Sequence, residues 1–383
     1  MTESPPSPRD AAAPLPALVS LGLLLALAIG VGVFAFARPA AAPEAEARAK
    51  ASVESGLVED VLTGRTTDAN GRPVPPTEGL GSPGQPLRLR FVPSAEQTEA
   101  LATIERLVSW LQERTGYAIE GRILNSYGLV IEELVQGRCD VAFLTAASYA
   151  RARFATDGND DPDDDIVAFL GAVRHGAPEY PGSDLAYRAA LLVKNDSPIQ
   201  GLDDLKDGVR VAMGSPTSGA SSILPSALFQ RRGITPEITR YGGGYPLIVE
   251  AVLQGAVDVG CIWWSAPNAD NPQNDARITA RASHPDIFET TRLVGFTEWI
   301  PNEPVVARAS VPEGVRHTLA RALCLYIATR VVTDEGRREL EAVGSLIGYV
   351  PATNEDFDPL LQVIQRAFAN DPEGWADFQR SRK

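Results

Sequence analysis

Tyr127–Leu144, YGLVIEELVQGRCDVAFL, recurs in register as Tyr245–Ile262, YPLIVEAVLQGAVDVGCI, with Tyr, Leu, Glu, Gln, Gly, Asp and Val in the same places. In each copy an aromatic residue opens a short amphipathic helix. A Gly ends the helix, and an Asp introduces a β-rich run, which is the α-then-β half of a βαβ unit. Two such units far apart in one chain predict two similar α/β lobes. In open α/β sheets the ligand crevice lies at the carboxyl ends of the strands, so Tyr127 and Tyr245 are placed to face it.

The surroundings of each copy extend the pattern. LRLRFVP, from Leu87, alternates as a strand, and Ser94 with Gln97 forms a capping box for a helix. Leu101, Ile104, Leu107, Val108 and Leu111 recur there at helical spacing, and Gly116 stops it. A strand near Ile119–Leu124 completes β-α-β-α-β through Leu144, the opening of a doubly wound lobe. The second lobe starts near Tyr187 and reaches VRVAM, a strand that delivers the chain into Gly214-Ser215-Pro216-Thr217-Ser218-Gly219 and then a helix stopped by Gly233. Hydroxyls and free N–H groups converge at that helix start, where the dipole favours negative charge. Such a turn suits an oxyanion, and equally reads as a plain N-cap. Asp140 and Asp258, matched in the repeats, read as residues that satisfy neighbouring amides. Trp263 and Trp264 point to opposite faces of one strand, so only one can line a cleft.

Bulk properties narrow the function. A chain of 383 residues exceeds what one core usually serves. A formal net charge of -14 argues against a nucleic-acid partner. Cys139, Cys261 and Cys324 lack the spacing of a disulfide framework or zinc site. The acidic run 157–165 lacks the turn Gly and terminal Glu of a calcium loop and reads as a solvated surface loop. No G-x-S-x-G elbow, Gly-Lys-Ser turn or His/Cys metal pattern is present, so neither an enzyme, a metal site nor a cofactor is expected.

Ala17–Ala37 is an uninterrupted apolar run bounded by Arg38. Its length suits a membrane-spanning helix, and the small residues Ala40-Ala41-Ala42 leave a cleaved signal as the competing reading. Either way the bulk of the chain is expected outside the cytoplasm. Pro39–Pro86, rich in Ala, Pro, Gly and Glu, reads as a tether.

Taken in order, FVPS at Phe91–Ser94, Tyr127 with its helix, Ala147-Ser148-Tyr149, LVKNDSPI, the Thr-Ser-Gly turn, LQGAVDVG and Ile300-Pro301-Asn302-Glu303-Pro304 resemble the phosphate/phosphite/phosphonate-binding proteins of ABC importers, the PhnD-like family. The resemblance runs from about 87 to 365. It implies a type II periplasmic-binding-protein fold, two α/β lobes, each a doubly wound mixed sheet, joined by crossing strands and closing on a small oxyanion. The ligand-binding residues it implies are Ser94, Tyr127, Tyr149, Ser215, Thr217, Ser218, Gly219, Tyr245 and Trp263. Pro216 replaces the first Ser of the family's Ser-Thr-Ser-Gly turn, and Tyr245 stands where the family has His. Trp263, Trp264 and Ser265 occupy the strand end where an aminophosphonate binder offers a carboxylate, which points to a compact anion or one with an apolar part.

The expected division is a tail over 1–16, a transmembrane helix or uncleaved signal over 17–37, a flexible linker over 38–86, lobe one over 87–186 and 295–383, and lobe two over 187–294. Crossings between lobes are expected near 184–190 and 290–300, and helices over 312–340 and 356–368, the first with an inward stripe of Arg316, Leu319, Leu323 and Ile327. The expected function is capture of a small oxyanion for an ABC permease by a monomer tethered to the inner membrane. The alternative is a membrane-tethered ligand-sensing or scaffold module of the same fold.

Overall fold

A computed structural model describes residues 74–92, 97–154, 165–242 apart from 175 and 178, 244–268, 272–330, positions 333, 335, 336, 338 and 340, and 346–369. Ser94, the apolar run 17–37, the tail, the acidic run 157–164 and all of the linker before residue 74 lie outside them. Among the described residues no helix is long and apolar enough to cross a membrane.

The first half runs β1 (Leu87–Phe91), α1 (Gln97–Thr115), β2 (Ile119–Ile123), α2 (Tyr127–Val135), β3 (Val141–Phe143), α3 (Ala146–Phe154) and β4 (Ile166–Val173). Next come β5 (Ala186–Lys194), β6 (Arg210–Met213), α4 (Leu224–Arg231), β7 (Glu237–Arg240), α5 (Tyr245–Leu253), β8 (Val259–Trp264), α6 (Ile287–Thr290) and β9 (Thr291–Pro301). The chain ends with β10 (Pro304–Arg308), α7 (Glu313–Arg330), β11 (Gly348–Pro351) and α8 (Asp358–Ala367). Two mixed sheets result, ordered β11-β4-β10-β3-β1-β2 and β7-β6-β8-β5-β9.

The sequence repeat is a repeat of topology. β2, β1 and β3 run parallel, as do β7, β6 and β8. An antiparallel strand then flanks each set, β10 beside β3 and β5 beside β8. Both helices of the repeat end in the same way. Gly137 N–H bonds to Leu134 O and Arg138 N–H to Glu133 O, and Gly255 and Ala256 repeat this on Val252 and Ala251. That double bond pattern needs a left-handed residue, and φ is 71° at Gly137 and 68° at Gly255.

The matched Asp residues then clamp each unit shut. Arg88 donates its backbone N–H and Nε to Asp140 Oδ2, both at 2.9 Å, and Nη2 to Oδ1 at 2.7 Å. Arg210 makes the same three bonds to Asp258, at 3.0, 3.1 and 2.5 Å. These clamps sit at the amino ends of β1 and β6, away from the crevice.

Alternation puts Leu87, Leu89 and Phe91 into the lobe-one core with Leu111 of α1 and Leu319 and Leu323 of α7. Burial of each such side chain contributes about 2 kcal/mol. In α7 the inward stripe begins at buried Val315, and Arg316 stands beside it only partly buried, because a helical period from Leu319 lands one residue earlier. The chain is also built in before β1, where a tether was expected up to Pro86. Leu80 packs on the core, Ser82 is buried, and the Ala118 N–H bonds to Gly81 O, so these residues extend the β1–β2 pairing.

The chain passes between sheets twice. Residues 174–185 connect β4 to β5, and residues 302–303 connect β9 to β10, so β9 remains paired with β5 from Thr291 to Pro301. Asn302, 3% exposed, ties these passages together. Its Nδ2 donates to Ala172 O (3.1 Å) and Asp184 O (2.9 Å), and its N–H to Leu185 O (2.8 Å).

Candidate functional site

The carboxyl ends of the parallel strands deliver the chemistry-bearing segments. After β6, Ser218 N–H bonds to Ser215 O, and the Ser215 and Thr217 hydroxyls lie 3.0 Å apart. The following helix does not begin as a regular α turn. Residues 219–223 form a wide i→i+5 turn, closed by Ile223 N–H to Ser218 O at 2.9 Å, and Ser218 Oγ accepts from Ser221 N–H at 3.2 Å. Wide turns of this kind are rare and concentrate at functional sites. Among the described residues the N–H groups of Gly219 and Ala220 have no backbone acceptor, and both residues are buried. A buried N–H seeks an acceptor, and one at a helix start favours an anionic one.

Tyr187 and Tyr245, from different elements, stand at this turn, and Tyr127 packs on the apolar cluster that holds Ala220 and Ile223, within electrostatic reach of both phenols. Tyr127 opens α2, its helix capped by Ser126 accepting from the Leu129 N–H at 3.3 Å. Tyr245 opens α5, and its phenol lies beside the Ser218 and Ser221 hydroxyls, which act on it electrostatically. Tyr187, on β5, brings its hydroxyl within 3.6 Å of where a Cβ on Gly219 would sit, an ordinary contact distance that puts this phenol beside the turn. Burial raises all three phenols, Tyr127 and Tyr187 further through Glu303 and Tyr245, with Arg174 opposing. In Tyr245, burial outweighs the opposing effect of Ser218 and Ser221. All three therefore stay O–H donors at neutral pH, as recognition of an anion requires.

Trp263 and Trp264 divide as the strand pleat demands. Trp263 packs against the apolar cluster at the crevice, and Trp264 turns away to meet Tyr180, Phe296 and Trp299. That crevice cluster is shared by the two lobes, since Ala147 and Ala150 of α3 meet Ala220, Ile223 and Leu224. Gly219 is near enough to Ala147 that an added Cβ would lie 3.5 Å from that methyl.

Tyr149 is placed elsewhere. It is fully buried in lobe one, its hydroxyl donates to Asn354 Oδ1, and its ring meets Phe357 edge-on with centroids 5.1 Å apart. The expected cleft position is a core position, because α3 is enclosed on nearly every face and its tyrosine points to the C-terminal segment. The structure thus brings Tyr127, Tyr245, Thr217, Ser218, Gly219 and Trp263 together, with Ser215 at the exposed edge, and leaves Tyr149 outside.

Sequence reasoning missed Tyr187, Arg174 and Glu303. Arg174 Nη2 stands 2.7 Å from Glu303 Oε2, and both act on Tyr127 and Tyr187. Burial pushes Glu303 upward, but attraction and a hydrogen bond from Arg174 carry it below the usual carboxylate range. Burial lowers Arg174 and Glu303 more than offsets this, so both remain charged. Pro304 next to Glu303 is visible in IPNEP, yet nothing local announces a partner from β4. The thiols play no part. Burial raises Cys139 to about 12 and Cys324 to about 11. No group of metal-ligating side chains occurs among the described residues.

Two mixed sheets joined by two passages form the two-lobed α/β fold of the type II periplasmic binding proteins. The chain belongs to the family of phosphonate periplasmic substrate-binding proteins of ABC transporters, whose sequence profile matches residues 89–357. Its place is therefore extracytoplasmic, with a small-molecule ligand and a transporter permease as partners, and the family is not enzymatic. Among solved structures it is similar to XAC2383 of Xanthomonas citri bound to ATP, with 18% identity, a TM-score of 0.55, and coverage of 74% of this chain and 98% of that one. A binding protein component of an ABC phosphonate transporter, PA3383 of Pseudomonas aeruginosa, matches at 16% identity and TM-score 0.52, over 78% of this chain and 94% of that one. PhnD1 of Prochlorococcus marinus in complex with methylphosphonate matches at 15% identity and TM-score 0.53, over 74% of this chain and 98% of that one. At these identities the likeness is one of fold.

Proposed function

We propose that this protein captures a small phosphorus oxyanion, of the phosphonate, phosphite or phosphate type, between its lobes and delivers it to an ABC permease. The observation that carries this reading is the pair of N–H groups at the buried residues Gly219 and Ala220, without a backbone acceptor among the described residues, in a turn that also carries the Thr217 and Ser218 hydroxyls and has the Tyr187 and Tyr245 phenols beside it. An oxyanion there completes the hydrogen bonding of amides that otherwise remain costly to bury. Closure about the passages at 174–185 and 302–303 brings the Tyr127 side onto the turn, and the closed form signals occupancy to the permease. The apolar run 17–37 holds the folded part at the membrane from its outer face.

The test is thermal stabilisation of the full-length chain in mild detergent by phosphate, phosphite, methylphosphonate and 2-aminoethylphosphonate. At least one of these is expected to raise the melting temperature at millimolar concentration. No shift with any would overturn the oxyanion assignment. A Thr217→Ala, Ser218→Ala double variant keeping full affinity would remove the turn from the site.

A further inference from the structure

The turn that follows β6 is built from neutral groups, yet a charged side chain is hydrogen-bonded to it. Arg240 is the last residue of β7, in register with Met213 at the end of β6, and the Tyr241 N–H bonds to Met213 O at 2.8 Å. The carboxyl ends of the two strands therefore lie side by side where the turn begins. Arg240 Nη1 donates to Gly214 O at 3.1 Å and to Ser222 Oγ at 2.9 Å. Gly214 opens the segment, and Ser222, 2% exposed, lies in the wide turn that closes it, so one nitrogen clasps both ends.

Those ends already fit closely. Gly214 N–H bonds to Ser221 O at 3.1 Å, and a Cβ added to Gly214 would fall 2.4 Å from Ser221 Oγ. From Arg240 the chain passes through Gly244, at φ 81°, to Tyr245, whose phenol lies beside Ser218 and Ser221. The segment 240–245 thus meets the turn at both of its own ends, with a cation at one and a phenol at the other.

The charge of Arg240 is not neutralised elsewhere. Arg210, Arg231, Arg232 and Arg277 of the same lobe each pair with a carboxylate. Arg240 has no such partner among the described residues, and a guanidinium keeps its charge in a protein. The Tyr187 and Tyr245 phenols stay protonated, and hydroxyls and amides offer only partial charges. A helical turn is about 5 Å across at its backbone, so a guanidinium bonded to Ser222 stands roughly within 10 Å of the Gly219 and Ala220 amides. Arg240 is exposed, so water screens part of its field, and its effect on a bound anion is of moderate size and sensitive to salt.

We infer that Arg240 is the cationic element of the anion site: it clasps Gly214 to Ser222, holding the turn in shape, and adds the full positive charge that the turn's own groups lack. This inference rests on the oxyanion reading and adds a positioning residue to it. That residue stands on β7, the edge strand of the lobe-two sheet, and not on the turn itself.

The experiment measures binding of methylphosphonate and of inorganic phosphate to the full-length protein in mild detergent by calorimetry. Two salt concentrations are compared, about 20 mM and about 500 mM, between which the screening length falls from roughly 20 Å to below about 5 Å. Arg240→Gln keeps an amide donor and removes the charge. It is expected to bind about five- to tenfold more weakly than the native protein at low salt, with the gap narrowing at high salt. Arg240→Lys keeps the charge as a point ammonium and is expected to stay within about threefold of native.

Arg240→Gln binding as tightly as the native protein at low salt overturns the inference. So does a loss of equal size at both salt concentrations, the mark of a purely structural tie. If Arg240→Gln does not fold, Arg240→Lys decides: affinity within about threefold of native sustains the inference, and a greater loss overturns it. Absence of binding by both probes to the native protein overturns instead the oxyanion reading beneath it, a distinguishable result.

Discussion

Asp140 and Asp258 make the same three hydrogen bonds in different surroundings, so truncating each isolates the effect of burial. In lobe one Asp140 is 5% exposed and Arg88 30%; in lobe two Asp258 is 37% exposed and Arg210 47%. Asp140→Ala removes the acceptors of the Arg88 N–H and of its guanidinium together. Breaking a buried pair costs about 3–5 kcal/mol, and the exposed part of Arg88 recovers some hydration, which leaves about 2–3 kcal/mol. For a chain of this size that is a fall of about 3–5 °C in melting temperature. Asp258→Ala removes matching bonds from groups that water already reaches, so its shift is clearly smaller. Salt at about 1 M shrinks that smaller shift further while sparing the larger one. The assay is thermal unfolding of the full-length chain followed by far-ultraviolet circular dichroism at neutral pH. Equal shifts, or a larger one for Asp258→Ala, would refute the argument that burial sets the strength of the clamp.

The hydrogen bond from Arg210 holds Asp258 below its ordinary range, against the upward push of burial, so its stabilisation is full above the unfolded carboxylate pKa and lost as pH falls through the folded value. The stability difference between native protein and Asp258→Asn is therefore expected to be constant above about pH 5 and to close below about pH 4, read by urea unfolding across pH. Asn302→Ala deprives the Ala172 and Asp184 carbonyls of a buried donor, and a loss of about 2 kcal/mol in urea unfolding is expected. Asn302→Asp loses more, because a carboxylate then faces those carbonyl oxygens. An alanine Cβ at Gly214 would lie 2.4 Å from Ser221 Oγ, and Gly214→Ala is expected to destabilise by about 1–3 kcal/mol. Gly219→Ala meets only ordinary contacts at 3.5 Å or more and is expected to fold with native stability while weakening ligand binding at the Tyr187 hydroxyl, as melting curves with and without methylphosphonate would report.

The repeat was legible because each of its marks has a local cause. Gly137 and Gly255 are required by a left-handed helix end, Asp140 and Asp258 by a strand start that needs an acceptor, and Tyr127 and Tyr245 stand at a helix opening. The partition of Trp263 from Trp264 followed from the strand pleat alone. Tyr149 misled for the converse reason. A helix buried on nearly all faces carries no amphipathic signal, so nothing in AASYARARF says which way its tyrosine points. Arg174 and Glu303 stayed hidden because their meeting depends on β4 and β10 being neighbours, a fact of tertiary topology between residues 129 positions apart. Residues 80–82 were passed over because their composition is that of a tether, and only pairing beside β2 gives them a place.

One packing relation has a consequence for how the molecule moves. α8 belongs by sequence to the closing segment of lobe one, yet it rests on α3 and on α4, with Leu361 and Ile364 in the same cluster as Ile223 and Leu224. A swing that drew the turn at 214–219 away from Tyr127 would have to peel α8 from one of those two helices. The boundary between bodies moving in that way would run along a face of α8 and would not coincide with the division between the two sheets.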